Sequence, residues 1–423
     1  MRVLWICNIM LPVIAKQLGM PYSNKEGWLS GLAERILDEK NSNITLGVCF
    51  PSEVKLSGKL DERDLYFESF FEDTVHEETY DAGLEEQMAQ IISRFQPDLI
   101  HLFGTEYGHT LAALKAFGNS KKSLVGIQGV CHVCAEYYLQ GIPTKVAKRT
   151  TFRDFVKKDN LIKQQQKMEQ RGEREKQALL LAGNVTGRTA FDREAVEKIN
   201  NNMCYYHMNE TMRSVFYEGE WQLESCDVHS VFVSQGNYPI KGLHYMLRAM
   251  ALLVKKYPDA HLYVAGDNIT RADSLLGRLK VSSYGKYIQD LIKDNQLESH
   301  VTFLGPLDAA GMRERFLRSH VFVSASTIEN SPNSVGEAML LGVPVVSSEV
   351  GGVPDMLTNG IEGLLYPTED ADALAGAISC VFEKPELARQ MSKAARERAR
   401  ITHDANTNYA RLLEIYHDID VNQ

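Results

Sequence analysis

Two glutamates, Glu329 and Glu337, stand eight positions apart in the run ENSPNSVGEA, separated by Pro332, Gly336 and small polar residues. The apolar run HVFVSAS ahead of them reads as a strand, and MLLGVPVVSS behind them as a short helix and another strand. The chain therefore makes a polar turn after a strand and enters a helix around Ser334–Leu341. A helix N-terminus presents free amides and a partial positive charge, which together can receive a phosphate. Carboxylates accept hydrogen bonds from vicinal hydroxyls. Two acids flanking such a terminus fit a ligand that carries both phosphate and hydroxyl groups. The plain alternative for Glu337 is a first-turn acid favoured by the helix dipole.

The elements that must position these residues recur along the chain. RVLWIC, a loop, the helical GWLSGLAERILDEK, ITLGVCF, a helix near LEEQMAQIISRF, PDLIHLFG, the helical HTLAALKAFG and SLVGIQG form one β–α–β series. A second series begins near 226 with CDVHSVFVSQ, the amphipathic KGLHYMLRAMALLVKKYP and AHLYVAGD, and runs on through HVTFLGPL to GLLYPTED. The join falls near 215–226. The expected fold is α/β with two Rossmann-like domains facing across a cleft, 1–220 and 221–403. Open α/β sheets bind ligands beyond the carboxyl ends of their strands, so each domain carries a site-forming edge.

Bulk properties narrow the class. The 423 residues carry a net charge of −9, which argues against nucleic acid as the partner. Seven scattered cysteines fit reduced thiols better than a disulfide framework. CHVC at 131–134 is a lone pair without further ligands at zinc spacing, and no metal site is expected. The apolar start MRVLWICNIMLPVIAKQL is interrupted by Asn8 and Pro12 and reads as strand then loop, not as a leader or a span. A cytoplasmic protein is expected, with the inner membrane face as a second location. Residues 145–176 are rich in Lys, Arg and Gln with Phe152, Phe155, Val156, Leu161 and Ile162 interspersed. The plainer reading is a solvated amphipathic helix or helix–loop–helix. The alternative is a basic face for peripheral contact with an anionic membrane or a lipid-linked acceptor.

Taken with its surroundings, SASTIENSPNSVGEAML resembles the Glu-x7-Glu signature of retaining family 4 glycosyltransferases, which have the GT-B fold. FVSQGNYPIKGLHYMLRAMALLVKKYPDAHLYVAGD, VTFLGPLDAAGMRERFLRSHVFVSAS and GVPVVSSEVGGVPDMLTNGIEGLLY are similar to that family's successive blocks. The likeness covers essentially the whole chain and is most specific from 230 to 370. It implies transfer of a hexose from a nucleotide-diphosphate sugar to a saccharide or lipid-linked acceptor hydroxyl, with retained configuration and without a metal or other cofactor. Surface or exopolysaccharide assembly is the expected setting.

By the same resemblance, Lys241 and Gly242 of the KG turn would meet the diphosphate, assisted by loop amides at Asn333, Ser334 and Val335. Glu329 would hold the donor sugar and Glu337 the ribose. Gly27, in the loop GMPYSNKEGWLSG, would allow close backbone approach, while Trp28 reads as a staple for the following helix. The family's C-terminal helix crosses back to the first domain, so 404–423 is expected to complete that domain. Two departures stand out. SQGNYPIKG lacks the arginine that usually precedes the lysine. Gln128 and Gly129 also stand where a histidine often follows the matching strand, with His132 and His109 as nearby alternatives and Glu106 as a further cleft acid. These departures keep open a catalytically weak nucleotide-sugar binder, and a non-hydrolysing epimerase remains a second enzymatic reading. A Rossmann oxidoreductase fits less well, because no G-x-G-x-x-G follows the first strand.

Overall fold

The computed structural model describes the chain except residues 22–26, 40–42, 61, 63, 272–276, 278 and 422–423, and the side chain of Trp28. The expected staple at Trp28 and most of the loop before Gly27 thus lie outside the described residues.

The chain forms two compact units. The first comprises Met1–Val133, Lys167–Arg213 and Thr402–Gln423, and the second Cys134–Gln166 and Ser214–Ile401. In the first unit the strands are β1 (Arg2–Ile6), β2 (Thr45–Pro51), β3 (Ser57–Leu60), β4 (Leu65–Phe70), β5 (Leu99–Phe103), β6 (Ser123–Gly126), β7 (Asn184–Gly187) and β8 (Cys204–His207). They lie in the order β3-β4-β2-β1-β5-β6-β7-β8, parallel throughout except for the β3–β4 pair. Along β1, Val3 and Trp5 enter one buried cluster while Leu4 and Ile6 enter another. Both faces of the sheet are thus covered, as parallel sheets require. One cover is the C-terminal helix Ala405–Val421, whose Tyr409, Leu412, Ile415, Tyr416 and Ile419 join the Val3/Trp5 cluster. Tyr416 Oη accepts from Trp5 Nε1 at 2.8 Å and lies 2.7 Å from His101 Nδ1, which pins that helix to β1 and β5.

The second unit has β9 (Asp227–Val233), β10 (His261–Ala265), β11 (Val301–Gly305), β12 (Ser319–Ser324), β13 (Val345–Ser348) and β14 (Leu364–Tyr366), all parallel, in the order β11-β10-β9-β12-β13-β14. The chain moves outward from β9 to β11, then returns to build β12–β14 on the other side. The topological switch point therefore lies between β9 and β12, where ligands bind in this class of sheet. In the first unit the corresponding reversal lies between β1 and β5.

The domain boundary needs one correction. Residues 134–166 and 214–220, expected within 1–220, belong to the second unit. Buried Asp154 accepts hydrogen bonds from the Ser283 amide and hydroxyl, and Arg149 pairs with Asp290 at 3.0 Å. Gly141, at φ +69°, lies against Tyr245 so closely that a Cβ would overlap its hydroxyl.

Candidate active site

The loops after β9, β12 and β13 converge in the second unit. After β9, the turn Pro239–Lys241 ends at Gly242, which is left-handed at φ +67°. A Cβ there would stand 1.7 Å from Ala325 O, so only glycine lets the turn seat on the segment after β12. Thr327 N donates to Ile240 O at 2.8 Å and locks the two together. On the other side, Gly352 N donates to Glu329 O at 3.0 Å. The left-handed Gly351 lies so near that its Cβ would stand 2.0 Å from that oxygen.

This scaffold brings Lys241 Nζ to 2.5 Å from Glu329 Oε1, an oxygen that also accepts from Ser326 Oγ at 2.7 Å. Burial works to depress the Lys241 ammonium, but Glu329 together with Tyr238 and other neighbours holds the lysine charged, above its ordinary range. The ammonium also lies 5.8 Å from the centre of the Tyr238 ring.

The helix Asn333–Leu341 begins at the same place. Val335 N and Gly336 N donate to Pro332 O, and Pro332 has no N–H. The expectation of a ligand contact from Val335 is therefore corrected: that amide is spent inside the turn and the residue is fully buried. The N–H groups of Asn333 and Ser334 have no acceptor among the described residues. Asn333 Oδ1, and Asn237 Oδ1 in the β9 loop, are buried without a partner among the described residues, a condition that a polar ligand would relieve. Glu337 is buried at the fifth helical position, beyond the first turn, so the dipole explanation does not account for it.

The residues predicted in the first half gather at the carboxyl edge of the first unit's sheet. Glu106 follows β5. Its Oε1 accepts from Gly129 N at 2.8 Å while Oε2 is buried without a partner among the described residues, and burial raises its carboxyl above the ordinary range. His109 is fully buried with both ring nitrogens engaged, Nδ1 with Glu72 at 2.6 Å and Nε2 with Asn8 Oδ1 at 3.0 Å. It is a structural histidine with no nitrogen left for a ligand, which corrects its reading as a cleft group. Gln128 offers its backbone carbonyl to Arg188 at 3.2 Å.

His132 is different. Its Nδ1 lies 2.7 Å from Glu175 Oε2, and Nε2 makes no hydrogen bond among the described residues. Glu175 also accepts from Thr105 Oγ1, Cys131 N and His132 N. Gly27 opens the helix Gly27–Asp38, and the space a Cβ would take is filled by the aliphatic stem of Arg213. What approaches this glycine is thus an arginine of the same unit.

Sequence reasoning missed Glu175, Tyr238, Ser326 and Arg188. The one oddity near Glu175 is Gly172, a glycine inside a charged helix. A Cβ there would meet His132 Cα at 2.6 Å.

Residues 225–398 match the family model described as Glycosyl transferases group 1. Curated relatives align over 42% to 45% of the chain. A glycogen synthase of Mycobacterium tuberculosis is 26% identical over 176 residues, 42% of this chain and 39% of that protein. A D-inositol 3-phosphate glycosyltransferase of Saccharomonospora viridis is 28% identical over 188 residues, 43% and 40% respectively. A phosphatidyl-myo-inositol mannosyltransferase of Mycolicibacterium smegmatis is 26% identical over 192 residues, 45% of each. The alignments thus span less than half of these relatives. Among solved structures, sucrose-phosphate synthase from Thermosynechococcus elongatus superposes with a TM-score of 0.70 at 16% identity over the whole of both chains. Anabaena HepE in complex with UDP-glucose gives 0.67 at 16% identity over 99% of this chain and 100% of its own.

The fold is GT-B. Within it, residues 225–398 are similar to group 1 glycosyl transferases.

Proposed function

We propose that this protein transfers a hexose from a nucleotide-diphosphate sugar to a glycan or lipid-linked acceptor hydroxyl, with retention of configuration and without a metal. The observation that carries the reading is the Lys241–Glu329 pair at 2.5 Å, set at the β9/β12 switch point beside open helix amides and the orphaned Asn333 Oδ1. HepE is solved with UDP-glucose, which makes uridine donors the first to try.

On binding, Lys241 exchanges part of its contact with Glu329 for the diphosphate, and the amides of Asn333 and Ser334 add fixed dipoles where charge develops. Glu329, released to accept, holds a sugar hydroxyl, and Glu337 holds the ribose. The bond from the anomeric carbon to the phosphate oxygen breaks and its electrons leave with the diphosphate. The acceptor oxygen attacks the same face, and its proton passes to the departing phosphate oxygen. A lipid-linked acceptor would bring the protein to a membrane face in surface or exopolysaccharide assembly. No helix among the described residues is long and apolar enough to cross one.

The arginine missing ahead of Lys241 favours a second reading, a nucleotide-sugar binder without turnover. Release of nucleoside diphosphate, followed with a panel of donors and acceptors, separates the two. Acceptor-dependent release is expected, falling at least ~100-fold in Lys241→Ala and in Glu329→Ala. Near-normal turnover in both variants would overturn the site, and donor binding with no release would favour the binder.

A further inference from the structure

We infer that the segment from Thr144 to Lys163 is a docking surface for an anionic lipid bilayer. At its centre is the short helix Phe152–Lys157. Its residues Phe152, Phe155 and Val156 are spaced i, i+3, i+4 and so share one face. They are 57%, 74% and 62% exposed. The face cannot roll inward, because Asp154 on the other side is buried and held by Ser283 and by the Thr151 capping box. Two aromatic rings and a valine are thereby fixed toward solvent.

Their neighbours are cationic. The segment TKVAKRTTFRDFVKKDNLIK carries seven basic residues and two acidic ones, in a chain whose net charge is −9. Arg149 and Arg153 are paired internally, with Asp290 and with Asp154 and Asp159. Lys145, Lys148, Lys157, Lys158 and Lys163 are exposed, and none makes an ion pair among the described residues. An apolar helical face ringed by lysines fits an interfacial membrane contact. The rings enter the headgroup boundary and each lysine adds attraction to anionic lipid. The patch offers no strand edge for a peptide to extend. The plainer expectation of a solvated helix–loop–helix agrees with these short helices, but Phe152, Phe155 and Val156 do not turn inward as Val146 and Leu161 do. The inference stands apart from the proposed reaction and holds whether or not the protein turns over a donor.

The test is co-sedimentation of the full chain with vesicles of phosphatidylcholine alone, or mixed about two to one with phosphatidylglycerol. Binding to the mixed vesicles is expected, weakening as salt rises, with little binding to phosphatidylcholine alone. The double variants Phe152→Ser/Phe155→Ser and Lys157→Glu/Lys158→Glu should each weaken it at least ~10-fold while melting as the parent does. Ile401→Ser, at another exposed apolar position, should bind as the parent. Equal binding to both vesicle types, or well-folded patch variants that bind normally, would overturn the inference. So would absence of vesicle binding, which would leave an acidic protein as the occupant.

Discussion

Glu175 shows how much a single buried carboxylate can organise. It accepts four hydrogen bonds, from Thr105, from the amides of Cys131 and His132, and from the His132 ring. Truncation would strand several buried donors at once, each costing about 1–3 kcal/mol. Glu175→Ala should therefore lower unfolding free energy by at least ~2 kcal/mol in urea titration. If Glu175→Ala left the urea midpoint unchanged, the packing described around His132 would be wrong. Glu175 was not legible in the sequence, since a glutamate in QRGEREKQ looks like any solvated helix acid. Glu329 and Glu337 stood out beside a strand-to-helix turn of small polar residues, whereas Lys241 came only from the resemblance of its KG turn. His109 entered as a stand-in for the histidine that Gln128 replaces, and only the structure shows Glu72 and Asn8 taking both its nitrogens.

The β9 loop and the β12 loop hold each other through Gly242. With a left-handed backbone and Ala325 O where a side chain would begin, alanine can be accommodated there only if the turn moves. Gly242→Ala should separate Lys241 from Glu329 and cut turnover at least ~100-fold, while the rest of the sheet survives. Steady-state kinetics beside a far-ultraviolet spectrum checks this, and normal kinetics would contradict the close approach. The same scale explains which elements could be read in advance. β1, β2, β5, β9 and β12 are apolar runs, the pattern of strands buried on both faces of a parallel sheet. The antiparallel β3–β4 pair, β7 and β8 are not of that kind. β3 is SGKL, largely exposed, and β7 and β8 are four-residue runs whose pairing comes from their neighbours in the sheet. The allegiance of 134–166 was hidden likewise, because it depends on Asp154 and Arg149 meeting residues more than 120 positions away.

At the scale of the molecule, each unit buries histidines in the neutral form. Burial depresses His101 and His403 in the first unit to about 3 and about 4, and His244 and His320 in the second to about 3 and about 4. All four are depressed from 6.5, so below that pH the unfolded chain takes up protons that the native state refuses. Stability is therefore full above pH 6.5 and is lost as pH falls, by up to about 2 kcal/mol per histidine at pH 5. Glu106, raised by burial, acts in the opposite sense and offsets part of this. Melting temperature should fall steadily between pH 6.5 and 5, before ordinary carboxylates protonate. A flat profile there would contradict the burial of these rings.

The central claim is that Lys241 and the N-terminus of Asn333–Leu341 grip the diphosphate of a nucleotide sugar. A thermal-shift titration with a panel of nucleotide-diphosphate sugars, run on the parent and on Lys241→Ala, tests it most directly. At least one compound should raise the parent's melting temperature in a saturable way, and the same compound should leave the equally folded variant almost unmoved. No shift with any donor, or equal shifts in both proteins, would contradict the account.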